Sequence, residues 1–328
     1  MRVLITGGTG FIGKKLAAAL LREGGLALDG GEVSPVERIT LFDAFEGEGT
    51  PEGAGVRLVT GDIADPGTVG PLAAEADVVW HLAAIVSGNA EADFDLGYRV
   101  NLDGTRVLLE AMRATGRRPR LVFASTLAVF GGDVPDVLDD RTHLTPQTSY
   151  GAQKAMGELL VTDYSRKGFV DGRSLRLPTI VVRPGKPNKA ASTFASSIIR
   201  EPLAGQEAVC PVAPEAEMFV LSPRRVVEAL LHAMRLGDAD WGVSRALTLP
   251  GIVAGVGEMV EALRRVGGGA AAARVRWEPD PVIRKIVAGW PARFRTERAE
   301  RMGFRGDGSF EEIVRAHVED ELGGRVAG

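Results

Sequence analysis

A single cysteine, Cys210, stands among 328 residues, which excludes an internal disulfide framework and a cysteine-built metal cluster. Histidine is nearly as scarce. His81, His143, His232 and His317 are dispersed and none stands in a ligand spacing such as H-E-x-x-H, so no metal is expected. No window of about 20 apolar residues runs free of charge, which argues against a membrane span. No charged leader, apolar core and cleavage site stand ahead of the strand-like start at residues 1–6, so a soluble, cytoplasmic protein is expected. Charge of one sign is missing too. The net charge of −4 comes from mixed signs along the whole length, which leaves no basic patch for nucleic acid or an anionic membrane surface. There is no internal repeat.

What is present fits a soluble globular chain, with 45% apolar and 25% charged residues. The length suits one large α/β unit or a domain with an appendage. Short β-branched runs at residues 2–6, 38–42, 56–60, 78–82, 120–124 and 174–177 lack period-2 alternation, as strands buried on both faces of a parallel sheet do. Helix-compatible stretches at 11–22, 101–114 and 149–167 lie between them. This alternation predicts an α/β fold, a Rossmann-type doubly wound parallel sheet with a smaller C-terminal α/β lobe. Beyond residue 178 the expected elements are helices at 192–200, 224–234 and 310–322 and a strand at 246–249. The small-residue run 267–273 reads as a loop or a frayed helix end. The expected division is 1–184, with 222–249 returning to it, against a lobe of 185–221 and 250–328 over the C-terminal edge of the sheet, where ligands of open α/β sheets bind.

The first strand ends in Thr6-Gly7-Gly8-Thr9-Gly10-Phe11-Ile12-Gly13 and opens into a helix. Gly7, Gly10 and Gly13 allow a tight turn, a close approach to a pyrophosphate and close helix–strand packing. The helix N-terminus at Phe11 and Ile12 offers N–H groups to the phosphates. Between a strand and a helix, this spacing predicts dinucleotide binding. Asp43, ending the second strand, is placed to accept hydrogen bonds from an adenosine ribose and to repel a 2′-phosphate, which favours NAD over NADP. It stands farther from Gly13 than the usual ~20 residues, a gap ascribed to an inserted loop at 24–36. Lys14 and Lys15 leave NADP open, and Asp43 also reads as a strand-terminating turn residue. Asp62, beside Ile63, is placed to hold the adenine amino group. Leu82, Ala83 and Ala84 end the fourth strand, and the alanines let the backbone pass close to the cofactor. His81 reads as a packed, hydrogen-bonded histidine.

The chemistry is expected in Tyr150-Gly151-Ala152-Gln153-Lys154. Positions i and i+4 share a helix face, so phenol and ammonium converge. An ammonium and a cationic nicotinamide favour phenolate and make the tyrosine a usable base. The spacing is common by chance, and alone it reads as a surface pair. Ser125 and Thr126, after the fifth strand, are placed to hold a substrate oxygen, and Asn101 to cap a helix or order a water relay to Lys154.

Together these residues resemble the extended short-chain dehydrogenase/reductase (NAD-dependent epimerase/dehydratase) family over nearly the whole chain. The resemblance implies a catalytic set of Thr126, Tyr150 and Lys154. The downstream Val129-Phe130-Gly131 puts Thr126, rather than Ser125, at the hydroxyl position. It also implies a segment beside the nicotinamide at Pro178, Thr179 and Ile180, and a homodimer through helices 101–114 and 149–167. Members that act on nucleotide sugars carry R-x-x-N-V-Y-G-P and an acidic H-V-x-D-V run. Here the first reads Arg176-Leu-Pro-Thr-Ile-Val-Val-Arg-Pro184 and the second Phe219-Val-Leu-Ser-Pro-Arg-Arg-Val226. Both departures speak against a nucleotide-sugar substrate. A narrower resemblance, over 176–188 and 199–206, is to a branch that oxidises the C2 hydroxyl of a four-carbon sugar acid with NAD. Independently, Arg183, Lys186, Asn188, Arg224 and Arg225 put cations and an amide where the substrate lobe is expected. A guanidinium or ammonium is the natural partner of a carboxylate in a partly desolvated site, and singly each also reads as a solvated surface charge. Ser125, Thr126, Tyr150 and Thr179 complete the expected substrate contacts. The rival readings are an NAD-dependent nucleotide-sugar epimerase or dehydratase, which retains its cofactor, and a non-catalytic dinucleotide sensor.

Overall fold

Apolar strands without alternation need cover on both faces, and the computed structural model, which describes residues 1–185 and 190–327, provides it. The strands used below are β1 (Arg2–Thr6), β2 (Arg38–Asp43), β3 (Val56–Thr60), β4 (Val78–His81), β5 (Arg120–Thr126), β6 (Asp171–Leu177), β7 (Thr179–Ile180), β8 (Glu217–Leu221), β9 (Ala246–Thr248) and β10 (Ile252–Gly255). The helices are α1 (Phe11–Glu23), α2 (Pro66–Glu75), α3 (Gly104–Ala114), α4 (Ser149–Arg166), α5 (Thr193–Leu203), α6 (Pro223–Arg235), α7 (Val256–Ala273) and α8 (Phe310–Leu322).

The chain divides into two compact units. One comprises residues 1–129, 146–176 and 227–247, and the other 130–145, 177–226 and 248 onward. The first unit is built on a seven-stranded sheet in the order β9-β6-β5-β4-β1-β2-β3. Within it the run β5-β4-β1-β2-β3 is parallel throughout. Val3, Leu4 and Ile5 of β1 and Val78, Val79 and Trp80 of β4 are buried. Val69, Leu72, Leu108, Leu109, Met112 and Val161 from α2, α3 and α4 pack with Leu4, Val79, Leu121 and Phe123 in one apolar cluster. The strand order reverses between β1 and β4, and Gly7, Asp43, Leu82 and Ser125–Thr126 all stand at carboxyl ends of strands, at the switch point where such sheets take ligands.

Three local expectations change. The insertion at 24–36 carries an antiparallel ribbon, Gly25–Ala27 with Val33–Pro35, instead of a plain loop. The helix expected from residue 101 opens earlier, through a π-helical turn at Tyr98–Asp103 that runs into α3. Residues 267–273 are part of α7, broken at Gly268, where φ is 84°.

The second unit has a three-stranded sheet in which β8 pairs parallel with β7 and antiparallel with β10. Its core gathers Phe194, Ile198 and Leu203 of α5, Met259 and Leu263 of α7 and Phe310, Ile313 and Val314 of α8. Among the described residues no helix is long and apolar enough to cross a membrane, and no group of three or more His, Cys, Asp or Glu could hold a metal.

Candidate active site

Gly7 has φ +69°, and a Cβ there would lie 2.7 Å from Ala83 N and 2.8 Å from Leu82 C. The turn after β1 is thus pressed onto the backbone that leaves β4, and only glycine fits. Gly10 N–H closes the turn on Gly7 O at 3.1 Å. A Cβ on Gly13 would press on the backbone of Gly7 and Gly8. No side chain caps α1 at Gly10, so the amides of Phe11, Ile12 and Gly13 are of the kind that bind phosphate.

Asp43 accepts from Thr9 N (3.0 Å) and from Ala44 N (2.8 Å). It ties the end of β2 to the glycine turn. Lys14, which left NADP open, donates to Glu48 O at 2.9 Å. Asp62 is engaged as well. Arg99 forms an ion pair with one oxygen, and Ala64 N donates to the other at 3.0 Å. Ile63 is buried in the apolar cluster. His81 is held by Thr6 Oγ1 (2.6 Å) and Thr105 Oγ1 (3.0 Å), and burial first, with Lys154 second, pushes it down to about 3, so it is a neutral packed histidine.

The tyrosine and lysine are set by the start of α4. Thr148 Oγ1 accepts from Gly151 N at 3.1 Å and Glu91 Oε2 from Ser149 N at 2.9 Å, an N-cap and an acid that satisfy the first-turn donors. Lys154 is buried, its Nζ donates to Ala124 O at 2.9 Å, and it lies 4.6 Å from the Phe123 ring centroid and 5.9 Å from that of Tyr150. Tyr150 is hydrogen-bonded to Thr126, whose Oγ1 also accepts from Ala128 N at 3.2 Å.

Burial pushes Tyr150 up to about 12, and the Thr126 bond opposes this. Burial pushes Lys154 down to about 7, opposed by Glu158. The lowered phenol expected from the spacing is therefore not set by the protein alone. Removing charge from water disfavours phenolate and ammonium alike.

The two hydroxyls expected at the substrate part company. Thr126 bonds Tyr150, whereas Ser125 is buried and donates to Glu158 Oε1 at 2.5 Å. Glu158 in turn accepts from Arg176, Nε at 2.9 Å and Nη2 at 2.7 Å. Asn101 is buried in the π-helical turn. Its Oδ1 accepts from Ile85 N (2.8 Å), and its Nδ2 donates to Ile85 O (3.0 Å) and to Gln153 Oε1 (2.7 Å). The amide thus ties α4, through Gln153, to the segment after β4.

Pro178, Thr179 and Ile180 belong to the second unit, where Thr179 and Ile180 pair with Val220 and Leu221. So does Arg183, half-buried, with its Nη2 at 3.5 Å from Ser192 Oγ. Burial, then the neighbouring Arg200, lowers its pKa. Among the described residues no carboxylate pairs with it. Arg224 is the contrast: Glu319 (2.8 Å) and Asp320 (2.7 Å) neutralise it and raise its pKa through those bonds. Lys186 and Asn188 lie outside the described residues. The sequence reading missed Glu158 and Arg176 as a pair, although Glu158 follows Lys154 by four positions on one helix face.

Residues 3–241 match the model of the NAD dependent epimerase/dehydratase family, and the chain belongs to that family. It is 54% identical over 321 residues to the D-erythronate dehydrogenase of Cupriavidus necator, with 98% of each chain covered. It is 42% identical over 323 residues to the D-erythronate dehydrogenase of Haemophilus influenzae, covering 98% of this chain and 100% of that one. Its fold is similar to the crystal structure of the nucleoside-diphosphate-sugar epimerase from Agrobacterium tumefaciens, with a TM-score of 0.94 and 48% identity, covering 100% of this chain and 96% of that one.

Proposed function

We propose that the protein is an NAD-dependent dehydrogenase that oxidises the C2 hydroxyl of a small sugar acid, D-erythronate, to 2-oxo-tetronate (2-dehydro-D-erythronate). Residues 1–184, with 222–249, are assigned to the dinucleotide, and 185–221 and 250–328 to the substrate. The glycine turn and the uncapped α1 suit a pyrophosphate, and Asp43 suits an adenosine ribose. Bound NAD supplies a hydride acceptor and a positive charge that favours phenolate. Thr126 holds the C2 hydroxyl, and Tyr150 takes its proton. Lys154 fixes the tyrosine and favours its ionised form. Asn101, through Gln153, keeps α4 in place.

Arg183 is the observation that carries the small-acid reading, because a half-buried guanidinium without a carboxylate partner among the described residues suits the substrate carboxylate. Lys186 and Asn188 are further candidates from the sequence, and Arg224 is the weaker one because its charge is already met. Arg183→Gln is expected to raise KM for D-erythronate about 10–100-fold, the worth of a charged hydrogen bond, with NAD affinity unchanged. Steady-state kinetics and NAD titration check this, and an unchanged KM removes Arg183 from the site.

The nucleotide-sugar epimerase reading has one point in its favour, the name carried by the Agrobacterium structure. A screen of four- to six-carbon aldonic acids and nucleotide sugars separates the two readings. NADH release with D-erythronate supports the dehydrogenase, and turnover of a nucleotide sugar without net NADH overturns it. A cytoplasmic homodimer through α3 and α4, where Leu159 is 65% exposed, completes the proposal. Light scattering of the purified protein tests the dimer, and a monomer at micromolar concentration contradicts it.

A further inference from the structure

Behind the tyrosine and lysine lies a buried charged group to which the mechanism above gives no task. Glu158, one helical turn beyond Lys154 on α4, is buried, as are Arg176 on β6 and Ser125 on β5. Arg176 grips the Glu158 carboxylate through Nε (2.9 and 3.2 Å) and Nη2 (2.7 Å), and Ser125 Oγ donates to it at 2.5 Å. Two consecutive residues of β5 therefore hold two side chains one turn apart on α4. Ala124 O takes the Lys154 ammonium, and Ser125 takes the Glu158 carboxylate. We propose that Glu158 is a positioning residue for the reaction, whose carboxylate, fixed by Arg176 and Ser125, keeps Lys154 charged beside Tyr150.

The inference rests on the acid–base reading of Tyr150 and Lys154 given above. Tyr150 and Glu158 face the Lys154 ammonium from α4 and the Ala124 carbonyl from β5. His81 on β4 is neutral in its bonds to Thr6 and Thr105. Arg176 on β6 reaches it only through Glu158. Among the described residues Glu158 is the anion whose charge acts on Lys154, and it offsets two buried cations. Of these only lysine can shed its proton, because a guanidinium does not deprotonate in a protein. Without the Glu158 charge, burial wins and Lys154 goes neutral, consistent with Glu158 being what opposes its depression toward about 7. The dyad that has lost one proton can be phenolate with ammonium, which is active, or phenol with amine, which is not. Neutralising Glu158 favours the second form and makes the first proton easier to lose.

The test uses the whole enzyme with NAD. Glu158→Gln is expected to lower the plateau of kcat at least about tenfold and to move its acid limb to lower pH by about one to three units, the range for the loss of a nearby opposite charge. Arg176→Gln is expected to move the limb the other way, because it leaves Glu158 to act on Lys154 alone. Glu158→Asp, which keeps the charge, is expected to leave the limb in place. Damage to the fold lowers activity without shifting limbs in opposite directions. If Glu158→Gln does not fold, the upward shift in Arg176→Gln carries the test.

A substrate-free readout separates the two readings. The chain has three tyrosines, so the ultraviolet titration of the NAD complex, wild type minus Tyr150→Phe, isolates the ionisation of Tyr150. Glu158→Gln is expected to raise it by at least about one unit. If wild type itself shows no Tyr150 ionisation below the ordinary value of about 10, the acid–base reading has failed. If it does, and neither Glu158→Gln nor Arg176→Gln moves the titration or the kcat limb, the assignment of Glu158 is overturned on its own.

Discussion

Tyr150→Phe is expected to reduce NAD about 10²–10⁴ times more slowly than wild type, the usual worth of a positioned proton acceptor, while still binding the dinucleotide. Phenylalanine keeps the ring and loses only the hydroxyl that Thr126 meets, so α4 and its caps at Thr148 and Glu91 are untouched. The pH dependence has a definite sign. The base is the phenolate, and burial, against the Thr126 bond, holds the phenol near 12, so oxidation rises with pH through a limb that bound NAD and Lys154 pull down from that value. The phenylalanine enzyme is expected to lose this limb as well as the rate. Steady-state rates across pH, with NAD affinity measured alongside, check both parts. A mutant as fast as wild type removes Tyr150 from the chemistry.

The second large effect concerns the cradle. Gly7→Ala combines two penalties, a left-handed backbone at φ +69° and a Cβ at 2.7 Å from Ala83 N. The first costs about 1–2 kcal/mol and the second about 1–3 kcal/mol of overpacking. Relief of the contact moves the turn away from β4, and NAD affinity is expected to fall at least about tenfold, since about 1.4 kcal/mol is a factor of ten. Gly24 supplies a matched control. It has the same φ of +69° with nothing within 4 Å of an added Cβ, so Gly24→Ala carries only the backbone strain. Thermal unfolding and NAD titration of both variants separate the terms. Equal melting temperatures and equal NAD affinities contradict the close packing of Gly7 on Ala83.

The features legible in the sequence are those written into short stretches. The strands β1 to β5, the glycine turn and the i, i+4 placement of Tyr150 and Lys154 follow from neighbours a few residues apart. The features that escaped are set by distant partners. Arg224 looked available until Glu319 and Asp320, some 95 positions away, were found against it. Ser125 and Thr126 are adjacent and chemically alike, yet Ser125 is directed inward by Glu158 and Thr126 toward Tyr150. The ion pair of Asp62 with Arg99 was likewise hidden, because Arg99 lies in another element. The π-helical turn at Tyr98–Asp103 has the same apolar period as an α-helix over so few residues, and the bonds of Asn101 to Ile85 and Gln153 mark what that turn positions. The depressed lysine and elevated phenol follow from burial, which spacing does not report.

Isotopic labelling tests directly whether hydride leaves C2 of a sugar acid for NAD. The enzyme is incubated with NAD and D-erythronate deuterated at C2, and the cofactor and acid are analysed by mass spectrometry. Reduced cofactor carrying the deuterium, formed in equal amount with the 2-keto acid, is the expected result. Unlabelled cofactor, or NAD returned unreduced while the substrate changes configuration, contradicts it.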